Sequence, residues 1–302
     1  MVQEPNGVLI VNKHAGVTSH HIVGVVRRLY NTRRVGHAGT LDPMATGVLV
    51  VLIGRAAKAS EYLSHDAKHY RATLRLGLTT DTEDTTGTVL TTSESVPRNE
   101  ELQAVLPHFR GKILQIPPMY SALKVDGHKL VDLARRGETV ERAAREIEIF
   151  SLEAMPTNNE REYILDVHCS GGTYIRTLCA DIGAALGCGG AMASLERGEA
   201  CGFDLSQAHT VDEIEAMTEE ERVKLLIPTE KLFSNLPQIR LSMFFEKLCR
   251  SGCEIYLKKI GLDLPLGTRV AICDANGVFF ALGEVGEFRD GVAVKSIKMF
   301  VL

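Results

Sequence analysis

The densest chemical signal in the chain is residues 36–47, Gly-His-Ala-Gly-Thr-Leu-Asp-Pro-Met-Ala-Thr-Gly, which frame a single acid, Asp42. Glycine opens backbone paths closed to other residues, and Pro43 drives the residue before it toward extended geometry. A carboxylate held this way can project into a cleft. The same pattern also describes a rigid turn in which Asp42 accepts backbone hydrogen bonds. A second signal is Cys169-Ser170-Gly171-Gly172-Thr173-Tyr174-Ile175-Arg176. Thr173 is a good helix N-cap, and a capping box would place Glu or Gln three residues later. Arg176 stands there instead, opposed by the helix dipole at a cost of roughly 0.3–1 kcal/mol. A buried acid such as Asp42 would explain it, because a guanidinium can grip a carboxylate with two charge-assisted bonds. An arginine at a frayed helix start is the plainer account. Tyr70 is the third signal: an aromatic ring near a strand start, either core or placed to stack on a base.

Other chemistries leave no trace. There is no phosphate-binding Gly-rich loop, no GxGxxG, no HExxH, no zinc-deaminase pattern and no G-x-S-x-G elbow. His14, His20, His21 and His37 cluster without a carboxylate or cysteine at ligand spacing, so no metal is expected. The seven cysteines are scattered, which suits reduced thiols in a cytoplasm. Residues 1–7 lack a basic segment followed by an apolar core, so no secretory signal is expected. No stretch is apolar for long enough to cross a membrane. The net charge of -4 means that any basic surface for a nucleic acid must be local.

The elements that would carry these residues follow from apolar spacing. Residues 7–12 read as a strand. Thr18 or Ser19 can cap a helix with Ile22, Val26 and Leu29 on one face. Residues 31–46 read as a loop, 48–53 as a buried strand, and 69–78 as an alternating strand. Residues 79–87 read as a polar loop, 146–152 and 163–169 as strands, and 174–186 as a helix. Residues 211–224 form an acidic helical stretch. Beyond a boundary near Asn235, short strands at 269–273, 278–284 and 292–300 make a small β-rich unit. The irregular mixture of strands and helices predicts an α+β fold, with domains at 1–234 and 235–302.

Taken together, these blocks resemble the TruB family of tRNA pseudouridine synthases, from about Gly7 to Phe203. The stretch around Asp42 is similar to the family's catalytic motif. Lys68-His69-Tyr70 with Leu76-Gly77 and 80–84 is similar to its tyrosine motif, and 169–176 to its arginine motif. Residues 117–124 and 127–134 match a further block. The resemblance implies a pseudouridine-synthase mixed sheet flanked by helices, followed by a C-terminal PUA-like RNA-binding domain. It implies a substrate, uridine 55 in the T stem-loop of tRNA, and no cofactor. It also implies that Asp42 starts cleavage of the glycosidic bond, by attack on sugar, attack on base, or removal of the C2′ proton. Tyr70 would stack on the flipped uracil and Arg176 would pair with Asp42. His37, Lys13, Leu195 and Tyr174 would serve substrate binding, His37 by filling the space the nucleotide leaves and Leu195 by lining the base pocket.

Isomerisation needs no added atom, which suits one framed acid rather than the carboxylate pair of glycoside hydrolysis. Flipping is expected, since a base within a folded loop cannot otherwise be reached. Arg27, Arg28, Arg33, Arg34 and the basic stretch 110–145 are candidate phosphate contacts. Lys13-His14 replaces the family's usual Lys-Pro, Met192 stands where a histidine is common, and Glu196-Arg197-Gly198-Glu199 replaces a basic run. These departures bear on RNA affinity. A stand-alone monomer needing no guide RNA is expected; a guide-dependent synthase and a non-catalytic RNA chaperone are the alternatives.

Overall fold

The computed structural model describes residues 4–63, 66–121, 123–125 and 127–301; residues 1–3 of the chain start and Ala122 of the 117–124 block lie outside them. A nine-stranded sheet forms the larger part. Its strands are β1 (Gly7–Lys13), β2 (Val35–Ala38), β3 (Thr46–Ile53), β4 (Lys68–Leu76), β5 (Gly111–Gln115), β6 (Arg145–Pro156), β7 (Glu162–Cys169), β8 (Gly190–Ala200) and β9 (Phe203–Asp204). They run in the order β1-β3-β8-β4-β7-β6-β5, with β2 added to β3 and β9 to β8. Only β3 and β8 pair in parallel within this sheet. Mostly antiparallel pairing with helices packed irregularly is the α+β class expected.

The apolar runs explain the layering. In β1 and β3 successive residues point to opposite faces. Leu9, Val11, Leu49, Val51 and Ile53 enter one core with α1 (Ser19–Leu29) and α2 (Ile175–Ala185). Val8, Ile10, Val48, Val50 and Leu52 enter a second core shared with Phe233, Phe279 and Phe300. Both faces of β3 are therefore buried, which is why residues 48–53 show no alternation. The second core joins the main sheet to a five-stranded sheet, β10 (Gln238–Arg240), β11 (Ile255–Tyr256), β12 (Arg269–Cys273), β13 (Phe279–Phe288) and β14 (Gly291–Met299), in the order β10-β12-β13-β14-β11. A third core, including Val270, Phe280 and Val294, lies within that unit.

Several expectations need correction. Residues 31–46 are not all loop, because β2 adds to the edge of β3 through His37 opposite Val51. The strand predicted over 69–78 ends at Leu76, where Gly77 takes φ +88°. Thr173 does not cap α2: Tyr174 occupies the N-cap without a side-chain bond, and the Thr173 hydroxyl donates to the Ser170 carbonyl. The capping is done by Gln115, whose Oε1 accepts from the Tyr174 N–H at 2.8 Å and whose Nε2 donates to the Tyr174 carbonyl at 3.1 Å. The acidic stretch is two short helices, Val211–Ala216 and Glu219–Lys224, each opened by a threonine capping box. Among the strands that the sequence did not predict are β5 and β8, an interior strand of the sheet. Among the described residues no helix is long and apolar enough to cross a membrane.

Candidate active site

Asp42 sits in the connection between β2 and β3, and three separate elements converge on it. From the first turn of α2, Arg176 donates through Nε to Oδ2 at 2.9 Å and through Nη2 to Oδ1 at 3.4 Å. The two contacts form the bidentate grip that makes arginine–carboxylate pairs directional. The remaining donors are also used: Nη1 reaches the Thr82 carbonyl at 3.0 Å and Nη2 the Tyr120 carbonyl at 2.8 Å. Asp84 adds a second carboxylate 3.9 Å from Nη1. Arg176 is 7% exposed while Asp42 retains 32%. The cation is therefore held inside and the carboxylate still meets solvent. Burial lifts the Asp42 carboxyl above the ordinary aspartate range, and the Arg176 guanidinium pulls it back.

The hairpin Leu78–Thr80/Val89–Thr92 carries Thr82, Glu83 and Asp84 to this point. Glu83 adopts φ +63° and accepts a 2.5 Å hydrogen bond from the Thr177 hydroxyl, next to Arg176. Met192 is buried in β8 and fastens that hairpin, its N–H donating to the Glu83 carbonyl and its carbonyl accepting from Thr85.

Asp42, Tyr70, Tyr174, Arg176 and Leu195 line one cleft of about 500 Å³. That lies within the range of roughly 300–1,000 Å³ typical of small-molecule sites. Tyr70 is on β4 and Leu195 on β8, both 7% exposed. Burial raises the Tyr70 and Tyr174 hydroxyls above their ordinary range.

The other two candidates lie behind this surface. Lys13 is fully buried and donates to the carbonyls of His14, Val17 and Pro43 at 2.9, 2.9 and 3.2 Å. Burial brings its ammonium down to about 8, with the Asp42 charge acting against the shift. His37 is half-buried on β2, with Nδ1 enclosed and unpartnered among the described residues. Burial lowers its pKa.

Arg197 was read from sequence only as part of a charge pattern. It is 1% exposed and lines the cleft. Glu196 and Glu199 beside it in β8 are exposed. Lys68, 7% exposed, also lines the cleft and donates to the Asp66 carbonyl at 2.9 Å. Of the candidate phosphate contacts, Arg28 pairs with Glu215 and Arg34 with Glu4, both in exposed positions.

Solved structures share this architecture. The chain aligns over 98% of its length with 85% of a chain in a Cbf5-Nop10-Gar1 complex, at TM-score 0.71 and 26% identity. It covers 86% of a chain in an H/ACA RNP bound to a substrate RNA containing 2′-deoxyuridine, over 99% of its own length, at TM-score 0.72 and 23% identity. The sequence narrows the class further. Residues 27–175 match the TruB family pseudouridylate synthase N-terminal domain, and residues 176–234 the tRNA pseudouridylate synthase B C-terminal domain. A tRNA pseudouridine synthase B from Syntrophotalea carbinolica is 43% identical, over 86% of this chain and 81% of that protein. The protein of the same name from Francisella tularensis (strain WY96-3418) is 43% identical over 92% and 91%. The chain belongs to the TruB family of pseudouridine synthases.

Proposed function

We propose that the protein isomerises uridine 55 in the T loop of tRNA to pseudouridine, acting alone in the cytoplasm as a monomer, with Asp42 as its catalytic carboxylate. The observation that carries this reading is a solvent-reachable acid gripped by a buried guanidinium at the wall of a cleft. The overall reaction exchanges one C1′–N1 bond for a C1′–C5 bond; C5 loses its proton and N1 gains one. No atom is added and no electron is transferred.

The residues divide this work. The target base must leave the stack to reach Asp42. Tyr70 and Leu195 offer an aromatic and an aliphatic surface to a flipped uracil, and the Tyr70 hydroxyl assists loss of the C5 proton. Stacking of this kind is worth roughly 1–3 kcal/mol per base. Arg176 favours the ionised form of the carboxylate against the effect of burial and aims it, while Tyr174 bounds the cleft beside it. Lys13 acts on the Asp42 loop by holding the Pro43 carbonyl. His37 occupies the space left by the flipped nucleotide. Residues 1–234 constitute the catalytic domain, and the sheet within 235–302 a PUA-like RNA-binding domain.

Asp42→Asn preserves the shape of the side chain and removes its charge. It is expected to stay folded and to release no tritium from C5-labelled tRNA; turnover in this variant would remove Asp42 from the chemistry. Structural likeness to proteins of guide-RNA complexes favours a second reading, dependence on a guide RNA. Purified chain acting on bare tRNA excludes it, and activity only with added guide would replace the stand-alone reading.

A further inference from the structure

We propose that Arg197 is the positioning residue that fixes the two halves of the site, Asp42 and Tyr70, relative to one another. The inference rests on the pseudouridine-synthase reading and adds a role for a side chain that reading leaves unused. Arg197 lies in β8, where its backbone pairs with Gly47 of β3 on one side and with Tyr70 of β4 on the other. It therefore stands between the strand that leaves the Asp42 loop and the strand that carries the tyrosine.

Its guanidinium is spent on the Asp42 loop. Nη2 donates to the Gly39 carbonyl at 3.1 Å, Nη1 to the Thr40 carbonyl at 3.4 Å, and Nε to the Val48 carbonyl at 2.8 Å. Gly39 and Thr40 precede Asp42, and Val48 follows it. One rigid planar group thus clamps both ends of the loop, and its charge acts on the Tyr70 hydroxyl, opposing the rise that burial causes. A lysine could not match this, since a guanidinium presents its donors in a fixed fork and an ammonium is a point charge on a flexible stem.

The backbone permits no slack in the arrangement. Gly47 has φ +100°, and a Cβ there would stand 2.3 Å from the Arg197 carbonyl oxygen. Only glycine lets β3 and β8 come so close. Gly39, whose carbonyl Arg197 holds, has φ +84°, a conformation that an added side chain would strain.

The cost of the arrangement supports a positional role. Arg197 forms no ion pair with an acid among the described residues, and its partners are carbonyls. A buried cation without a counter-charge is expensive, and an apolar side chain would fill β8 at lower cost. What an apolar residue cannot supply is directed donors to three carbonyls around one acid. Local rules broken at such a cost concentrate where function requires them.

The test uses the full chain carrying Arg197→Lys, Arg197→Met or Gly39→Ala, with thermal unfolding, tRNA binding and single-turnover pseudouridine formation measured on each. Displacing a reacting group by about 1 Å costs about 100-fold in rate. Both Arg197 variants are expected to lose about that much rate per folded molecule while binding tRNA as wild type does, and lysine is not expected to rescue. Gly39→Ala, which strains the φ +84° backbone whose carbonyl Arg197 holds and removes no charge, should lower the rate in the same sense at unchanged affinity. It decides the matter alone if the Arg197 variants do not fold. Wild-type rate per folded molecule in Arg197→Lys, or in Gly39→Ala where that variant decides, would overturn the inference. So would rate and tRNA affinity falling in equal proportion. Absence of pseudouridine from the wild-type reaction would instead overturn the functional reading, which separates the two failures.

Discussion

The reaction cleft and the C-terminal sheet are built on opposite principles. All of the buried polar and charged side chains among the described residues lie between Lys13 and Thr229, and none lies within β10 to β14. The cleft buries Lys68, Arg176 and Arg197 in its wall, with Lys13 and Asp84 buried behind it, around one acid. The C-terminal sheet closes over Ile239, Leu241, Val270, Ile272, Phe280 and Val294. Its charged groups stay on the surface, as in the Arg269–Glu284 pair, with both side chains nearly half exposed. Hydrophobic burial is non-directional, and it suffices to hold a sheet together. Aiming a carboxylate requires donors with fixed directions, and these cost desolvation. The difference locates the chemistry as clearly as any motif does.

The widest separation of the two regions should come from Arg176→Met. Removing one partner of a buried ion pair typically costs about 3–5 kcal/mol in stability. Here the variant also leaves Asp42 without its grip and the Thr82 and Tyr120 carbonyls without a donor. The rate is expected to fall by at least the roughly 100-fold of a displaced reacting group. A pH profile adds a signature of the charge. Burial raises the Asp42 carboxyl and Arg176 opposes that rise, so loss of the cation raises it further. The ionised carboxylate then disappears earlier as pH falls, and the acid limb of the rate profile moves to higher pH. An unmoved limb would detach Asp42 from that limb.

Phe280→Ala tests the other principle. Phe280 is fully buried in the third core, with the Arg250 guanidinium 4.2 Å from its ring centroid. Truncating a core phenylalanine costs about 3–5 kcal/mol, as large a loss as the ion pair. The rate per folded molecule at saturating tRNA is expected to remain that of wild type, because no directed group is lost. Denaturant unfolding with single-turnover kinetics reads both quantities. A rate falling as far as in Arg176→Met would erase the contrast between the regions.

How much of this was legible follows from the same contrast. Asp42 and Arg176 stood out because local rules were broken there, with glycines and a proline around the acid and a cation in a first helical turn; Tyr70 took its role from the family resemblance. The strands β1, β3, β4 and β7 were readable from runs or alternation of apolar residues. Strand β8 was not. Its sequence Gly-Ala-Met-Ala-Ser-Leu-Glu-Arg-Gly-Glu-Ala neither alternates nor forms an apolar run, and its pairing with β4 shifts register at Met192/Ser194 and Arg197/Glu199. Each bulge inverts the in–out pattern, so this interior strand hid Arg197 among surface charges. The Gln115 cap of α2 was hidden for another reason: it lies 59 residues from the backbone groups it satisfies. Threonine offered a local cap, and a tertiary contact supplied the real one.

Lys13→Met gives a smaller effect and the finest test of the cleft's principle. The substitution keeps an unbranched apolar stem in a fully buried site and deletes only the ammonium and its three hydrogen bonds. Leaving a buried acceptor unsatisfied costs about 1–3 kcal/mol. His14 is exposed and can turn to water, so the loss should lie toward the low end of that range. The deletion also removes a cost, because burial already brings the ammonium down to about 8. Between about 8 and the ordinary lysine range the unfolded chain holds a proton that the folded chain has released. Stability from this group therefore rises with pH across that window. Lys13→Met abolishes the rise, and its stability deficit against wild type should widen as pH increases from 8 to 10. The Pro43 carbonyl that Lys13 holds belongs to the residue after Asp42, so the rate should fall along with stability, by less than in Arg176→Met. A variant that lost stability at full rate would show that the buried lysine holds the fold and not the acid, and would place it with Phe280 rather than with Arg176.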